Sequence, residues 1–277
     1  PTLFCEFAPR VKVGRPAVRI VDHRYDHRVG DIERYGPELL ASVDACVAEN
    51  HRIAEVLTSR RGWPPDRIPV IWPCGRPHSA FPAPASLEEV RRRVRGELEL
   101  ELDELVILTA ARLHPQKRPR DLVELARRVA DLDRVRFLLV GGGELETAVD
   151  RAIAASGARI RRLPFRDDIP ELIVAADAGC LLSDFEGLPV FLLECLQAGR
   201  PFLGTDVGDM GELLRSTGAG LVVDTPGALD ALEAAVRRLA DAGERARLAA
   251  NAAAAGSRFD PAACAEAYAA AFLGKTP

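Results

Sequence analysis

From Leu105 onward, short continuous apolar runs alternate with stretches of helical periodicity. Val106-Ile107-Leu108-Thr109-Ala110 precedes an amphipathic stretch over 120–130. Arg136-Phe137-Leu138-Leu139-Val140 leads through Gly141-Gly142-Gly143 into a second, over 145–155. The pattern then predicts a strand over 160–163, a helix over 169–176, a strand over 179–183, an almost wholly apolar helix over 190–198 ending at Gly199, a strand over 201–204, a helix over 212–215 and a strand over 221–223. Runs apolar at every position, joined by helices, predict a parallel sheet covered on both faces, an α/β fold of Rossmann-like type. Ligands of such sheets bind beyond the carboxyl ends of the strands. Arg112, Gly141, Phe165, Glu186 and Gly208 each follow a strand and are expected along that one edge.

The flanking regions read differently. Helices are expected over 228–242, 244–255 and 262–272, with Gly243, Gly256 and Pro261 as breaks. Near the start, strands are expected over 18–21 and 70–72, and helix, short strand and helix over 36–57. Pro64, Pro65, Pro69, Pro73, Pro77, Pro82 and Pro84 punctuate a connector that cannot be regular helix. The expected organisation is an incomplete α/β domain with connector over 1–84, a Rossmann-like domain over 85–260 and a C-terminal helix over 261–277.

The most informative run is Ser183-Asp184-Phe185-Glu186-Gly187-Leu188-Pro189, which leads into the apolar helix that carries Glu194. Pro189 suits a first helical turn, where its missing N–H costs nothing. The free N–H groups of Gly187 and Leu188, with the positive end of the helix dipole, can hold a phosphate oxygen without a side-chain charge. A carboxylate inside a buried helix is costly unless paired, so Glu194 needs a donor-rich partner, either a ribose diol or an arginine in a structural ion pair.

Composition narrows the classes. The chain has 277 residues, 48% of them hydrophobic, and a formal net charge of -4, so it can fill one large core or two medium ones and is not disordered. Beyond Arg91-Arg92-Arg93, read as the solvated face of a short helix, there is no basic stripe, which argues against nucleic acid. The six cysteines lack C-x-x-C spacing, and Cys180 and Cys195 fall in apolar segments as small core residues, an expectation of a reduced, cytoplasmic setting. No apolar run reaches the roughly 18–20 residues a spanning helix needs, and no charged-then-apolar leader is present; peripheral membrane contact stays compatible with this. The chain opens at Pro1 rather than Met, which reads as processed or truncated. The only lysines are Lys12, Lys117 and Lys275, so in this arginine-biased chain Lys117 marks a place for a compact ammonium, chance being the alternative.

Arg112-Leu113-His114-Pro115-Gln116-Lys117, Gly141-Gly142-Gly143 and the segment from Glu186 to Glu194 occur in an order that resembles the retaining GT-B glycosyltransferases of family 4. Asp44-Ala45-Cys46-Val47-Ala48-Glu49-Asn50 and Ile68-Pro69-Val70-Ile71-Trp72-Pro73-Cys74-Gly75 extend the resemblance across most of the chain, with a shortened first domain. It implies transfer of a sugar from a UDP- or GDP-linked donor to a glycan, lipid-linked or small-molecule hydroxyl, with retention, without a cofactor or metal, as in polysaccharide biosynthesis. It also implies that Arg112 and Lys117 neutralise the diphosphate, that Glu186 bonds the donor sugar, that Glu194 bonds the ribose, and that the backbone at Phe165 and Arg166 meets the base. The structural alternatives are a surface ion pair for Arg112 and a core position for Phe165.

Three features depart from the family pattern. Ala111 stands where glycine is usual, Asp209 follows Gly208 in a turn expected to face phosphate, and the context of the family's first-domain histidine is missing around His23 and His27, which read as polar loop residues. Asp131-Leu132-Asp133 lies at a helix end rather than after a strand, so it is read as a solvated turn and not a metal motif. A truncated, non-catalytic nucleotide-sugar-binding module is the alternative function. A dinucleotide oxidoreductase is disfavoured, because Glu144 and Glu146 follow the glycines where a pyrophosphate would lie.

Overall fold

The computed structural model describes residues 12–13, 21–24 and 41–274; His27, the strand start at 18–20 and the helix start at 36–40 lie outside the described residues. Two compact units emerge, one of Gly75–Asp260 and the other of the residues on either side, up to Cys74 and from Pro261. The boundary thus falls ten residues before the expected one, because Gly75 already belongs to the larger unit: its N–H donates to the Phe259 carbonyl at 3.2 Å. The last helix groups with the first unit instead of standing alone.

In the smaller unit, β1 (Val21–Arg24) and β2 (Ala45–Ala48) pair in parallel. Helix α1 (His51–Arg61) follows, capped by Asn50, whose Oδ1 accepts the Ile53 N–H at 2.8 Å, and closed by Gly62 at φ 68°. Val43, Cys46, Ile53, Leu57, Trp63 and Ile68 form its core. The strand expected over 70–72 shrinks to a single bridge between Val70 and Ala48, since Pro69 and Pro73 offer no N–H to extend a ladder.

The larger unit opens with α2 (Leu87–Glu97) and continues as β3 (Leu105–Ala110), α3 (Pro119–Arg128), β4 (Val135–Val140), α4 (Glu146–Ser156), β5 (Ile160–Leu163), α5 (Ile169–Ala175), β6 (Ala178–Leu181), α6 (Val190–Gln197), β7 (Phe202–Thr205), α7 (Met210–Thr217), β8 (Gly220–Val223), α8 (Leu229–Ala240) and α9 (Ala242–Gly256). The chain then returns to the first unit with α10 (Pro261–Leu273). The strands form one parallel sheet in the order β5-β4-β3-β6-β7-β8. The order reverses between β3 and β6, the switch point where the loops diverge and leave a crevice. β3 is paired with β4 along its whole length, whereas only Ile107↔Ala178 and Leu108↔Gly179 register it with β6, helped by the Thr109 hydroxyl donating to the Cys180 carbonyl at 2.8 Å.

The apolar runs of the central strands are buried almost throughout, and Ile107, Leu125, Phe137, Leu203 and Leu232 belong to one continuous core. Each such side chain contributes about 1.5–3 kcal/mol on burial. Cys180 and Cys195 sit in the interior as expected, and burial pushes the Cys180 thiol up to about 12, so they pack rather than react. Among the described residues no helix is long and apolar enough to cross a membrane.

Two expectations need correction. Arg92 and Arg93 face water, but Arg91 turns inward to the carbonyls of Ala175 and Ala176 and to Asp177 at 2.6 Å. One turn on, Arg95 is fully buried: it donates to the carbonyls of Ala175, Glu101, Leu102 and Glu104 and to Asp177 at 2.7 Å, so α2 is stapled to the start of β6. Gly243 does not break a helix. The break falls at extended Asp241, whose side chain caps α9 by accepting the Glu244 N–H at 2.7 Å. Gly256 ends α9 where a Cβ would stand 2.2 Å from the Leu196 carbonyl oxygen, so it permits close approach to α6.

Candidate active site

Glycines bring the strand-end loops together. A Cβ on Gly141 (φ +138°) would fall 2.1 Å from the Ala111 carbonyl oxygen, and one on Gly143 (φ +152°) 2.6 Å from that of Leu113. The loops after β3 and β4 therefore lie against each other, closed by Leu113 N–H to the Gly142 carbonyl (2.9 Å) and Leu145 N–H to the Leu113 carbonyl (3.1 Å). On the other side of the switch point, a Cβ on Gly208 (φ +56°) would meet the Gly187 carbonyl oxygen at 2.1 Å, and the Asp209 N–H donates to that oxygen at 3.1 Å. Asp209 occupies the cap position of α7 and is buried.

The crevice itself is laced across β3 and β6. The Asp184 N–H donates to the Gln116 carbonyl (2.8 Å), the Gln116 amide returns a bond to the Phe185 carbonyl (2.8 Å), and Arg118, in the left-handed conformation at φ 47°, reaches Asp184 at 2.8 Å. In this frame Lys117 Nζ donates to Glu186 Oε1, which also accepts the Ser183 hydroxyl. Lys117 and Glu186 are thus brought together, beside Gly187 and the start of α6. Pro189 stands one position earlier than expected, at the cap rather than in the first turn, and its carbonyl accepts the Leu192 N–H at 3.0 Å. Leu188 is buried beneath that turn.

A cavity of about 420 Å³ is walled by Arg112, Gly141, Gly142, Phe165, Arg166, Val190 and Glu194 among others. Arg112 makes no side-chain hydrogen bond or ion pair with the described residues, so the surface ion pair is not formed. Phe165 is 76% exposed on the cavity wall, which removes the core alternative. The Arg166 guanidinium is taken by Asp168 at 2.7 Å. Glu194 is 5% exposed and accepts from Arg76 Nε at 2.6 Å, so its partner in this structure is an arginine. Burial pushes the Glu194 carboxyl above its usual range, and the hydrogen bond and charge of Arg76 oppose that. Sequence reasoning missed Arg76: it lies in an irregular proline-rich segment where no periodicity marks it. It also missed Ser183 as the second anchor of Glu186. His23 lies on β1, and its side chain is outside the described residues.

A doubly wound parallel sheet with a cation- and carboxylate-lined crevice at its switch point defines an α/β protein of GT-B type. The chain belongs to the glycosyl transferases group 1 family, whose model matches residues 90–255. It is 31% identical over 228 residues to the D-inositol 3-phosphate glycosyltransferase of Salinispora tropica, covering 76% of this chain and 47% of that protein. The enzyme of the same name from Xylanimonas cellulosilytica is 31% identical over 80% of this chain and 55% of its own length. The chain thus spans about half the length of these curated relatives. Among solved structures, Anabaena Alr3699/HepE in complex with UDP superposes with a TM-score of 0.84 at 19% identity, covering 99% of this chain and 76% of that one. WaaG, a glycosyltransferase involved in lipopolysaccharide biosynthesis, gives 0.71 at 19% identity over 84% and 63%. At these identities the likeness is one of fold.

Proposed function

We propose that this chain acts in a family 4 glycosyltransferase with a shortened first domain, and that the larger unit binds the donor, a sugar linked to UDP or GDP. The sugar passes to a hydroxyl acceptor, glycan, lipid-linked or small, with retention at the anomeric carbon. In this reading the base lies against Phe165 and the backbone of Arg166, the ribose diol bonds Glu194, and the diphosphate lies between Arg112, Lys117 and the N–H groups of Gly187 and Leu188. As the glycosidic bond breaks, negative charge grows on the diphosphate. An ammonium, a guanidinium and a helix N-terminus fixed beforehand stabilise that charge without a metal. Glu186, steadied by Lys117 and Ser183, accepts hydroxyl protons of the sugar and so orients it. The observation that carries the reading is a cavity lined by Arg112, Phe165, Arg166 and Glu194, together with the Lys117 contact to Glu186 that joins the loops after β3 and β6. HepE, crystallised with UDP, with UDP and glucose, and with UDP-glucose, shares this fold.

Calorimetry with UDP- and GDP-sugars, paired with a turnover assay, tests it. Binding of one nucleotide sugar, loss of that binding in Glu194→Ala with the fold preserved, and sugar transfer or donor hydrolysis are expected. Unchanged affinity in Glu194→Ala would overturn the ribose role, binding without any turnover would leave a non-catalytic module, and no binding to any nucleotide would remove both.

A further inference from the structure

We propose that Arg76 is the positioning residue of the ribose-binding carboxylate: it holds Glu194 charged and turned into the cavity, so that an incoming nucleotide meets a prepared acceptor. The inference rests on the ribose role given to Glu194 above. Its geometry stands on two anchors from one helix. Glu194 takes Arg76 Nε at 2.6 Å, and Gln197, nearly one turn further along α6, donates from Nε2 to the backbone carbonyl of Arg76 at 3.0 Å. The preceding residue, Gly75, is tied through its N–H to the Phe259 carbonyl, which also accepts from Gln197 at 3.2 Å. Arg76, although its side chain is partly exposed, is therefore fixed both at its backbone and at its guanidinium.

The pair is a preparation and not a plug. An ionised carboxylate has about four lone-pair positions, of which Nε uses one. Glu194 Oε2 accepts from none of the described residues, so a ribose diol can bond it with Arg76 still in place. Without Arg76 the buried carboxylate has no other cation among the described residues to hold it. Arg112 and Arg166 line the same cavity, but neither hydrogen-bonds Glu194, and Arg166 is committed to Asp168. On α6 itself the neighbouring titratable group is the buried Cys195 thiol, and α9 approaches α6 through Gly256 and alanines. A carboxyl so placed takes up a proton instead of staying ionised, and a protonated carboxyl accepts fewer hydroxyl protons.

The test follows the Glu194 carboxyl by carbon NMR in the full chain, and measures UDP and GDP affinity by calorimetry, from about pH 5 to about pH 9. In Arg76→Met the carboxyl is expected to titrate about one pH unit or more higher than in the wild type. Nucleotide affinity should fall about tenfold or more near neutrality and recover as the pH rises. Arg76→Gln, which keeps a donor but not the charge, should move both readouts in the same direction and stands in if Arg76→Met does not fold. Glu194→Gln should bind weakly with no pH dependence over this range. A carboxyl that titrates at the wild-type pH in both Arg76 variants, or an affinity loss that is the same at every pH, overturns the proposal. Wild-type affinity in Glu194→Gln instead overturns the ribose reading itself, and the NMR titration still reports whether Arg76 governs the carboxyl.

Discussion

Lys117 reaches Glu186 from a one-turn 3-10 segment, Pro115–Lys117, whose entry is fixed by His114 Nδ1 accepting the Gln116 N–H at 3.2 Å. Lys117 and Ser183 both converge on Glu186 Oε1, so Oε2 has no partner among the described residues. On the proposed reading, removing the ammonium would take away charge stabilisation that matters most when the diphosphate leaves, and it would also loosen Glu186. Lys117→Met should therefore lower transfer by about 10²–10³-fold, with a much smaller loss of nucleotide affinity, in steady-state rates set beside calorimetry. Lys117→Arg should not restore the rate, because a planar fork cannot take the place of a compact ammonium. At this scale the sequence was readable where chemistry was unusual for the chain: a rare lysine, an acid in an apolar helix, a Gly-Leu-Pro turn. Arg76 gave no such signal, since one arginine among many shows its role only when the fold brings it to an acid 118 residues away.

Helix α2 illustrates how an element can be predicted correctly and its faces wrongly. Its Arg91-Arg92-Arg93 triplet reads as a solvated face, yet Arg91 and Arg95 lie one turn apart and both end on Asp177, which also accepts the Val106 N–H at 2.7 Å. Desolvation lowers the affinity of Arg95 for its proton, and the charge of Asp177 works against that. Asp177→Ala would leave a buried guanidinium facing only carbonyls. It should destabilise the protein by about 3–5 kcal/mol, measured as a lower urea midpoint with unchanged slope. The strands and helices of the larger unit were legible because the apolar runs of the central strands β3, β4, β6 and β7 are buried on both faces. The strand over 70–72 and the break at Gly243 were misread for local reasons. Proline removed the donors a ladder needs, and Asp241 supplied a cap two residues before the glycine.

At the scale of the whole molecule, alternation of strand and helix predicted a parallel sheet, and the likeness to HepE and WaaG agrees with it. Strand order was not legible, because periodicity records which face of an element is buried and not which neighbour it pairs with. Nor was the return of α10 to the first unit, which depends on contacts far apart in the chain.

The thin registration of β3 with β6 has a dynamic consequence. Two residue pairs, the Thr109 hydroxyl and the bonds between Val106 and Asp177 join the halves of the sheet there, and the laced loops above them carry the rest. Amides beside such a seam open to solvent by local fluctuation more readily than those between β3 and β4. A molecule that bridges Arg112 on one side and Glu186 on the other would act as a clasp over it. Deuterium uptake at residues 106–110 and 178–183 should then slow when UDP saturates the protein, while uptake in α8 stays as it was; the binding site would in this way double as the fastener of the sheet that forms it.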